Sequence, residues 1–171
     1  MRILVVTQHF WPENFRINDI VEGFVQDGLA VDVLCGLPNY PHGEWFDGYS
    51  ADGPFEESYK GARVFRAREI PRKGNTGKTI FLNYVSWPLY AAAALKRLPG
   101  GYDAVFCFNT SPVLMCWPAV LYAKKAPCTV HKLCARPLAG EFVQCAARQK
   151  TGLCGGWHSR SATACTSAAT D

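Results

Sequence analysis

The sequence predicts an α/β protein built on a Rossmann-like, doubly wound and mostly parallel sheet. Nearly uninterrupted apolar runs of strand length recur at residues 2–7 (RILVVT), 30–35 (AVDVLC) and 103–108 (DAVFCF), which is how strands buried on both faces read. Between them stand segments with apolar residues three and four apart, which is how the helices that cover such a sheet read.

Each element follows from its residues. After the first run, Ile17, Ile20, Val21, Phe24 and Val25 are spaced for a helix over residues 13–26, and Gly28 supplies its stop. Residues 30–35 then complete a β-α-β unit. Residues 36–57 (GLPNYPHGEWFDGYSADGPFEE) form a long loop, of the length that serves function or mobility in a compact domain. Residues 62–69 (ARVFRARE) alternate like a half-exposed strand, and residues 77–98 read as a long apolar helix that Pro88 can kink. Residues 111–125 (SPVLMCWPAVLYAKK) give a last helix, with Ser111 as N-cap and Pro112 at its first position. Beyond Lys125 no period persists, so a domain at residues 1–125 is expected to precede a tail at 126–171 rich in Cys, Ala, Ser and Thr.

Composition narrows the function. At 171 residues the chain is long enough to bury a sizeable core. Its net charge of +4 is uneven: residues 1–125 hold 13 Lys/Arg against 12 Asp/Glu, and the tail holds 5 against 2. With no basic stripe interleaved with aromatics in the patterned part, no nucleic-acid partner is expected. The apolar start is too short for a secretory signal, and a cytoplasmic protein is expected. Five of the 8 cysteines fall after Lys125, at intervals of 6, 11, 9 and 11, with no C-x-x-C pair. That spacing gives neither a zinc site nor a disulfide framework. The apolar stretch around residues 80–95 falls short of the roughly 20 residues needed to span a bilayer. It contains Asn83, Ser86 and Pro88, and so reads as buried or lying at an interface.

In open α/β sheets ligands collect at the carboxyl ends of the strands. Residues 8–16, 37–49 and 109–112 meet that condition. Neither G-x-G-x-x-G nor G-x-x-x-x-G-K-[ST] occurs, which removes the main support for a dinucleotide or P-loop site. What remains is a mouth of aromatic and polar side chains: His9, Trp11, Glu13, Asn14 and Arg16 in one segment, Asn39 and Tyr40 in the next. Ring faces beside amides, a base and a carboxylate suit a polyhydroxylated ligand, and a sugar is the economical choice. His9 and His42 stand where a general base could, or where a histidine is simply hydrogen-bonded. The same residues also serve as an aromatic cap on the core, with Glu13 or Asn14 capping the helix and residues 38–41 forming a rigid turn.

The stretches QHFWPENFRIND (residues 8–19) and GLPNYPHG (residues 36–43), with YKGARVFRAREIPRKGN, LNYVSWPLYA and YDAVFCFNTSPVLMCWPAVLYAKK after them, closely resemble the N-terminal domain of family-4 retaining glycosyltransferases. These enzymes have the GT-B fold, and the similarity is greatest to the branch of bacterial O-antigen and capsule synthesis described as L-fucosamine transferases. It covers residues 1–125. The resemblance implies two Rossmann-like halves, the first shaping the acceptor site and the second holding most of the nucleotide-sugar site with a paired-glutamate motif. It implies transfer of a sugar, with retention and no essential metal, from a nucleotide-sugar donor to a lipid-diphosphate-linked saccharide at the inner face of the plasma membrane, where peripheral contact is expected. No further cofactor is implied. His9, Trp11, Glu13, Asn14, Arg16, Asn39 and Tyr40 would then line the acceptor cleft, with Ser111 opening a helix that faces it; no catalytic residue is assigned.

The tail departs from that pattern. Relatives continue with a segment close to Tyr-Val-Gln-Asp-Leu-Trp-Pro-Glu-Ser, whereas this chain reads LCARPLAGEF at residues 133–142. Codons compatible with LCARPLAGEF yield the missing segment when read one base later. A frameshift between about Tyr122 and Leu133 is therefore expected, replacing the donor-binding half, and these residues alone are expected to be inactive. A free-standing sugar- or nucleotide-binding module, or a subunit completed in trans by a separate C-terminal half, are the alternatives.

Overall fold

In the computed structural model, which describes residues 1–109, 113–126, 128–134 and 143–147, the chain is an α/β protein with one seven-stranded sheet. The strands are β1 (Arg2–Val6), β2 (Ala30–Gly36), β3 (Glu56–Tyr59), β4 (Ala62–Ala67), β5 (Ala104–Asn109), β6 (Thr129–Cys134) and β7 (Val143–Ala147), in the order β3-β4-β2-β1-β5-β6-β7. The five central strands are parallel, with Val6 opposite Leu34 on one side and Cys107 on the other, and each edge carries one antiparallel strand.

The helices are α1 (Ile17–Gln26), α2 (Gly77–Ala94) and α3 (Trp117–Lys125). They divide between the two faces because a parallel sheet must be covered on both. Ile17 and Val21 of α1 pack with Ile3, Val5, Val31, Val33 and Val64 on one face. On the other face Trp87, Ala91 and Ala94 of α2 and Ala119 of α3 pack over Leu4, Val6, Leu34 and Val105. The chain winds outward from β1 through α1, then returns across the sheet through α2 to β5. Strand order therefore reverses between β1 and β5.

Several expected boundaries move, each for a local reason. The first helix begins at Ile17 rather than residue 13, because residues 11–16 form tight turns whose N–H groups return to Phe10 and Glu13 carbonyls. The strand over residues 62–67 is not half-exposed: five of its 6 residues are buried, because β2 and β3 flank it and both sheet faces are covered. Strand β3 was not expected, since EESY has almost no apolar content; it pairs as a hairpin on β4 through a turn at Lys60 and Gly61, both at positive φ. The last helical segment opens as a 3₁₀ turn at Val113–Cys116, and the expected Ser111 cap and Pro112 lie outside the described residues. Beyond Lys125, where no element was expected, β6 and β7 extend the sheet. The segment LCARPLAGEF and the rest of the tail lie largely outside the described residues.

The amino ends of the strands are tied by one carboxylate. Asp32 accepts from Arg63 Nε and Nη2 at 2.8 Å, from Arg2 Nη2 at 3.0 Å and from the Tyr102 hydroxyl at 2.6 Å. Burial opposes its charge, yet the bonds from Arg63 and Tyr102 and the nearby guanidinium charges hold the carboxyl below its ordinary range.

Trp87 is fully buried where α2 crosses the sheet. Trp87→Ala should lower stability by about 3–5 kcal/mol through lost burial and the remaining cavity, read by urea denaturation. A loss below about 1 kcal/mol would show that α2 is not packed on the sheet as described.

Candidate functional site

Strand order reverses between β1 and β5, and the region outside their carboxyl ends is where ligands of doubly wound sheets sit. Gln8 and Asn109 stand there, each two residues beyond the Val6–Cys107 pairing, and both are buried. The loop after β4 brings Glu69 and Arg72, the loop after β2 brings Asn39, and the first turns of α2 bring Asn83.

These side chains form one network. Gln8 Nε2 donates to Glu69 Oε2 at 2.7 Å and to Asn83 Oδ1 at 2.9 Å, and Arg72 Nη2 donates to Asn83 Oδ1 at 3.3 Å. Asn39 Nδ2 donates to the other Glu69 oxygen and, at 2.9 Å, to the Leu37 carbonyl. Asn83 is itself held, donating to the Ile70 carbonyl at 2.8 Å. Burial pushes the Glu69 carboxyl up to about 8; the Glu13 charge adds to the rise, while the bonds from Gln8 and Asn39 and the Arg72 charge oppose it. Glu69 therefore exchanges its proton in the neutral range.

The network is not closed. Gln8 Oε1, Asn39 Oδ1, Arg72 Nε and Asn109 Oδ1 are buried with no hydrogen-bond partner among the described residues. Trp87 Nε1 is also unpartnered, but it belongs to the core beneath α2. Buried polar atoms are nearly always satisfied, and each one left bare costs about 1–3 kcal/mol. Three acceptors and one cationic donor beyond the carboxyl ends of the strands are groups that a hydroxyl, which both donates and accepts, could satisfy.

Next to this network Glu13 joins two loops. Its Oε1 accepts the backbone N–H of Asn39 at 2.8 Å and of Tyr40 at 2.7 Å, and its Oε2 lies 2.8 Å from His9 Nδ1. A carboxylate can only accept, so Nδ1 is the donor of this pair. The His9 ring stacks on Phe15 at 4.8 Å and leans on Tyr40. The Arg72 guanidinium lies over the Tyr40 and Tyr84 rings, at 5.4 and 5.2 Å. Gly43, at φ +74°, presses against the Arg72 carbonyl so closely that a Cβ would stand 2.6 Å from it. Only glycine admits that approach.

Arg66 supports the whole mouth from below. Fully buried, it pairs with Glu57 and donates to the Gly36 carbonyl at 2.8 Å and to the Trp11 carbonyl, with the Tyr49 ring 4.8 Å away. One guanidinium thus ties the ends of β2 and β4 to the loop after β1.

The sequence-predicted residues fall into three groups. Trp11 and Tyr40 are 39% and 40% exposed, the Trp11 ring lying 5.5 Å from Tyr59 of the edge hairpin, and Asn14 and Arg16 are exposed on the turns that lead into α1. His9, Glu13 and Asn39 are buried: Glu13 caps no helix but holds the loops, and Asn39 joins the buried network. Ser111 lies outside the described residues. His42 is exposed on the long loop. Gln8 and Asn109 lay within predicted segments without being singled out. Glu69, Arg72 and Asn83 were missed, although charges at 66, 69 and 72 past a strand, and a lone Asn in an apolar helix, were visible hints.

Among the described residues no group of histidine, cysteine and acidic side chains could hold a metal, and no helix is long and apolar enough to cross a membrane. Compared with known proteins, the chain matches no family model and no curated protein.

Because Glu69 has a folded pKa of about 8 against an ordinary 4.5, the stability gained from its neutral form is complete below about 4.5 and lost as pH rises toward 8. The wild-type chain should therefore lose a few kcal/mol of stability relative to Glu69→Gln across that interval. Denaturation curves at several pH values read it; two profiles that stay parallel would show that Glu69 is ionised throughout.

Proposed function

We propose that this chain is the acceptor-side half of a retaining, family-4 glycosyltransferase of the GT-B type, acting in bacterial surface-polysaccharide (O-antigen or capsule) synthesis. The observation that carries the reading is the set of buried polar groups beyond the carboxyl ends of the central strands, where four atoms of Gln8, Asn39, Arg72 and Asn109 have no partner among the described residues. A saccharide supplies hydroxyls to such atoms, while Trp11 and Tyr40 offer ring faces to its C–H surfaces. The resemblance over QHFWPENFRIND and GLPNYPHG supports the same reading, since the first stretch begins with Gln8 and the second contains Asn39.

In this reading the saccharide end of a lipid-diphosphate-linked acceptor enters between β1 and β5. Gln8, Asn39 and Asn109 accept its hydroxyl protons, and Arg72 donates to its oxygens. His9, held by Glu13, belongs to the acceptor side of the cleft. The nucleotide-sugar is held by a second Rossmann-like half, and that half supplies the donors that stabilise the leaving diphosphate. These 171 residues alone then bind saccharide but transfer none.

Ligand-observed NMR with a panel of methyl glycosides, N-acetylfucosamine among them, tests the site. Arg72→Ala and Asn109→Ala should each weaken binding about tenfold, the worth of one or two hydrogen bonds, while Lys60→Ala on the far hairpin should not. Equal binding by all variants would place the saccharide elsewhere. Transfer of labelled sugar by the purified chain would refute the division of labour between two halves.

A further inference from the structure

Glu69 lies in the middle of the buried network, and the way its partners are turned follows from what each can do. The Leu37 and Ile70 carbonyls can only accept, so the side-chain nitrogens of Asn39 and Asn83 face them, at 2.9 and 2.8 Å. With its nitrogen committed, Asn83 offers Oδ1 to Gln8 at 2.9 Å, and the group that Gln8 turns to it is Nε2. The Asn39 and Gln8 nitrogens give their other hydrogen to Glu69, Asn39 to Oε1 and Gln8 to Oε2. Both carboxyl oxygens therefore accept, and both amides are left with bare oxygens, Asn39 Oδ1 and Gln8 Oε1.

That arrangement suits the carboxylate better than the acid. A protonated Glu69 has an O–H to place on an acceptor, and the unpartnered acceptors of the network are Gln8 Oε1, Asn39 Oδ1 and Asn109 Oδ1. Turning Asn39 to receive the proton would set oxygen against oxygen at Leu37, and turning Gln8 would do the same at Asn83. The proton on Glu69 and a hydroxyl of a ligand thus compete for the same oxygens. Burial favours the proton, as does the Glu13 carboxylate from the loop after β1, whereas the bonds from Gln8 and Asn39 and the Arg72 charge favour its loss. His9 is paired with Glu13, Arg66 of β4 with Glu57, and burial keeps the Cys35 thiol of β2 neutral.

We propose that Glu69 is a positioning residue whose ionised form prepares the site for its ligand, so that a saccharide binds with release of one proton, an inference that rests on the saccharide reading above. The carboxylate holds both amides by their nitrogens, which keeps Gln8 Oε1 and Asn39 Oδ1 available to two hydroxyl hydrogens of the sugar. No covalent bond of the ligand changes. The O–H of Glu69 is given up, its proton passes to the solvent, and hydrogen bonds from the sugar hydroxyls hold the amide oxygens in its place. Protons and ligand are then linked: each lowers the affinity of the other.

Isothermal titration calorimetry of the full chain with the same methyl glycosides decides it. Affinity should rise about tenfold or more between about pH 6 and 8 and level off above, since Glu69 loses its proton at about 8. At about pH 7 the heat of binding should differ between phosphate and Tris buffers as the release of roughly one proton requires. Glu69→Gln offers one oxygen and one nitrogen where two acceptors are needed, so it should bind more weakly than the wild-type chain at the upper end of that range and lose both dependences. The wild-type buffer dependence needs no variant, and circular dichroism reports whether Glu69→Gln is folded. Binding that is the same at every pH and in both buffers would overturn the proposal and leave the saccharide reading in place. A pH dependence that persists in Glu69→Gln would also overturn it, assigning the proton to another group such as His9. Absence of binding by any glycoside at any pH would instead remove the saccharide reading, and this proposal with it.

Discussion

A fully buried guanidinium at position 66 is the constraint from which the upper half of the molecule follows. Removing such a charge from water costs several kcal/mol, and the cost is met only where acceptors surround it on every side. Glu57 supplies the counter-charge from the edge hairpin, and the carbonyls of Gly36 and Trp11 and the Tyr49 ring complete the enclosure. Each of these groups comes from a different segment. Satisfying one side chain therefore fixes where the loops after β1 and β2 run, and with them the positions of Glu13 and Asn39.

The two ends of the sheet use similar side chains to opposite effect. At the amino ends Asp32 is saturated by two arginines and a tyrosine, which hold its carboxyl below its ordinary range. At the carboxyl ends Glu69 shares its donors with its neighbours, burial pushes it up, and atoms beside it stay bare. A closed network stiffens a fold, whereas an open one is completed by something else. That asymmetry, more than any single residue, distinguishes the two ends of the sheet.

The central strands were legible because a strand buried on both faces must be apolar nearly throughout, and RILVVT could be little else. The place of the candidate site was chosen by the carboxyl-end rule, which needs only strand direction. The inward role of Glu13 was not: an acid ahead of a helical pattern reads as a cap, and its true partners, the N–H groups of Asn39 and Tyr40, lie far along the chain. Glu69 and Arg72 were hidden for the same reason, because burial of a charge depends on non-local acceptors that no period records. Strand β3 escaped because EESY owes its conformation to the neighbouring β4 rather than to its own side chains.

The carboxyl ends of the strands point along the plane of the sheet, while α2 and α3 lie against its face. The two directions are perpendicular, so whatever reaches the strand ends arrives edge-on, along the sheet and past the helix layer rather than through it.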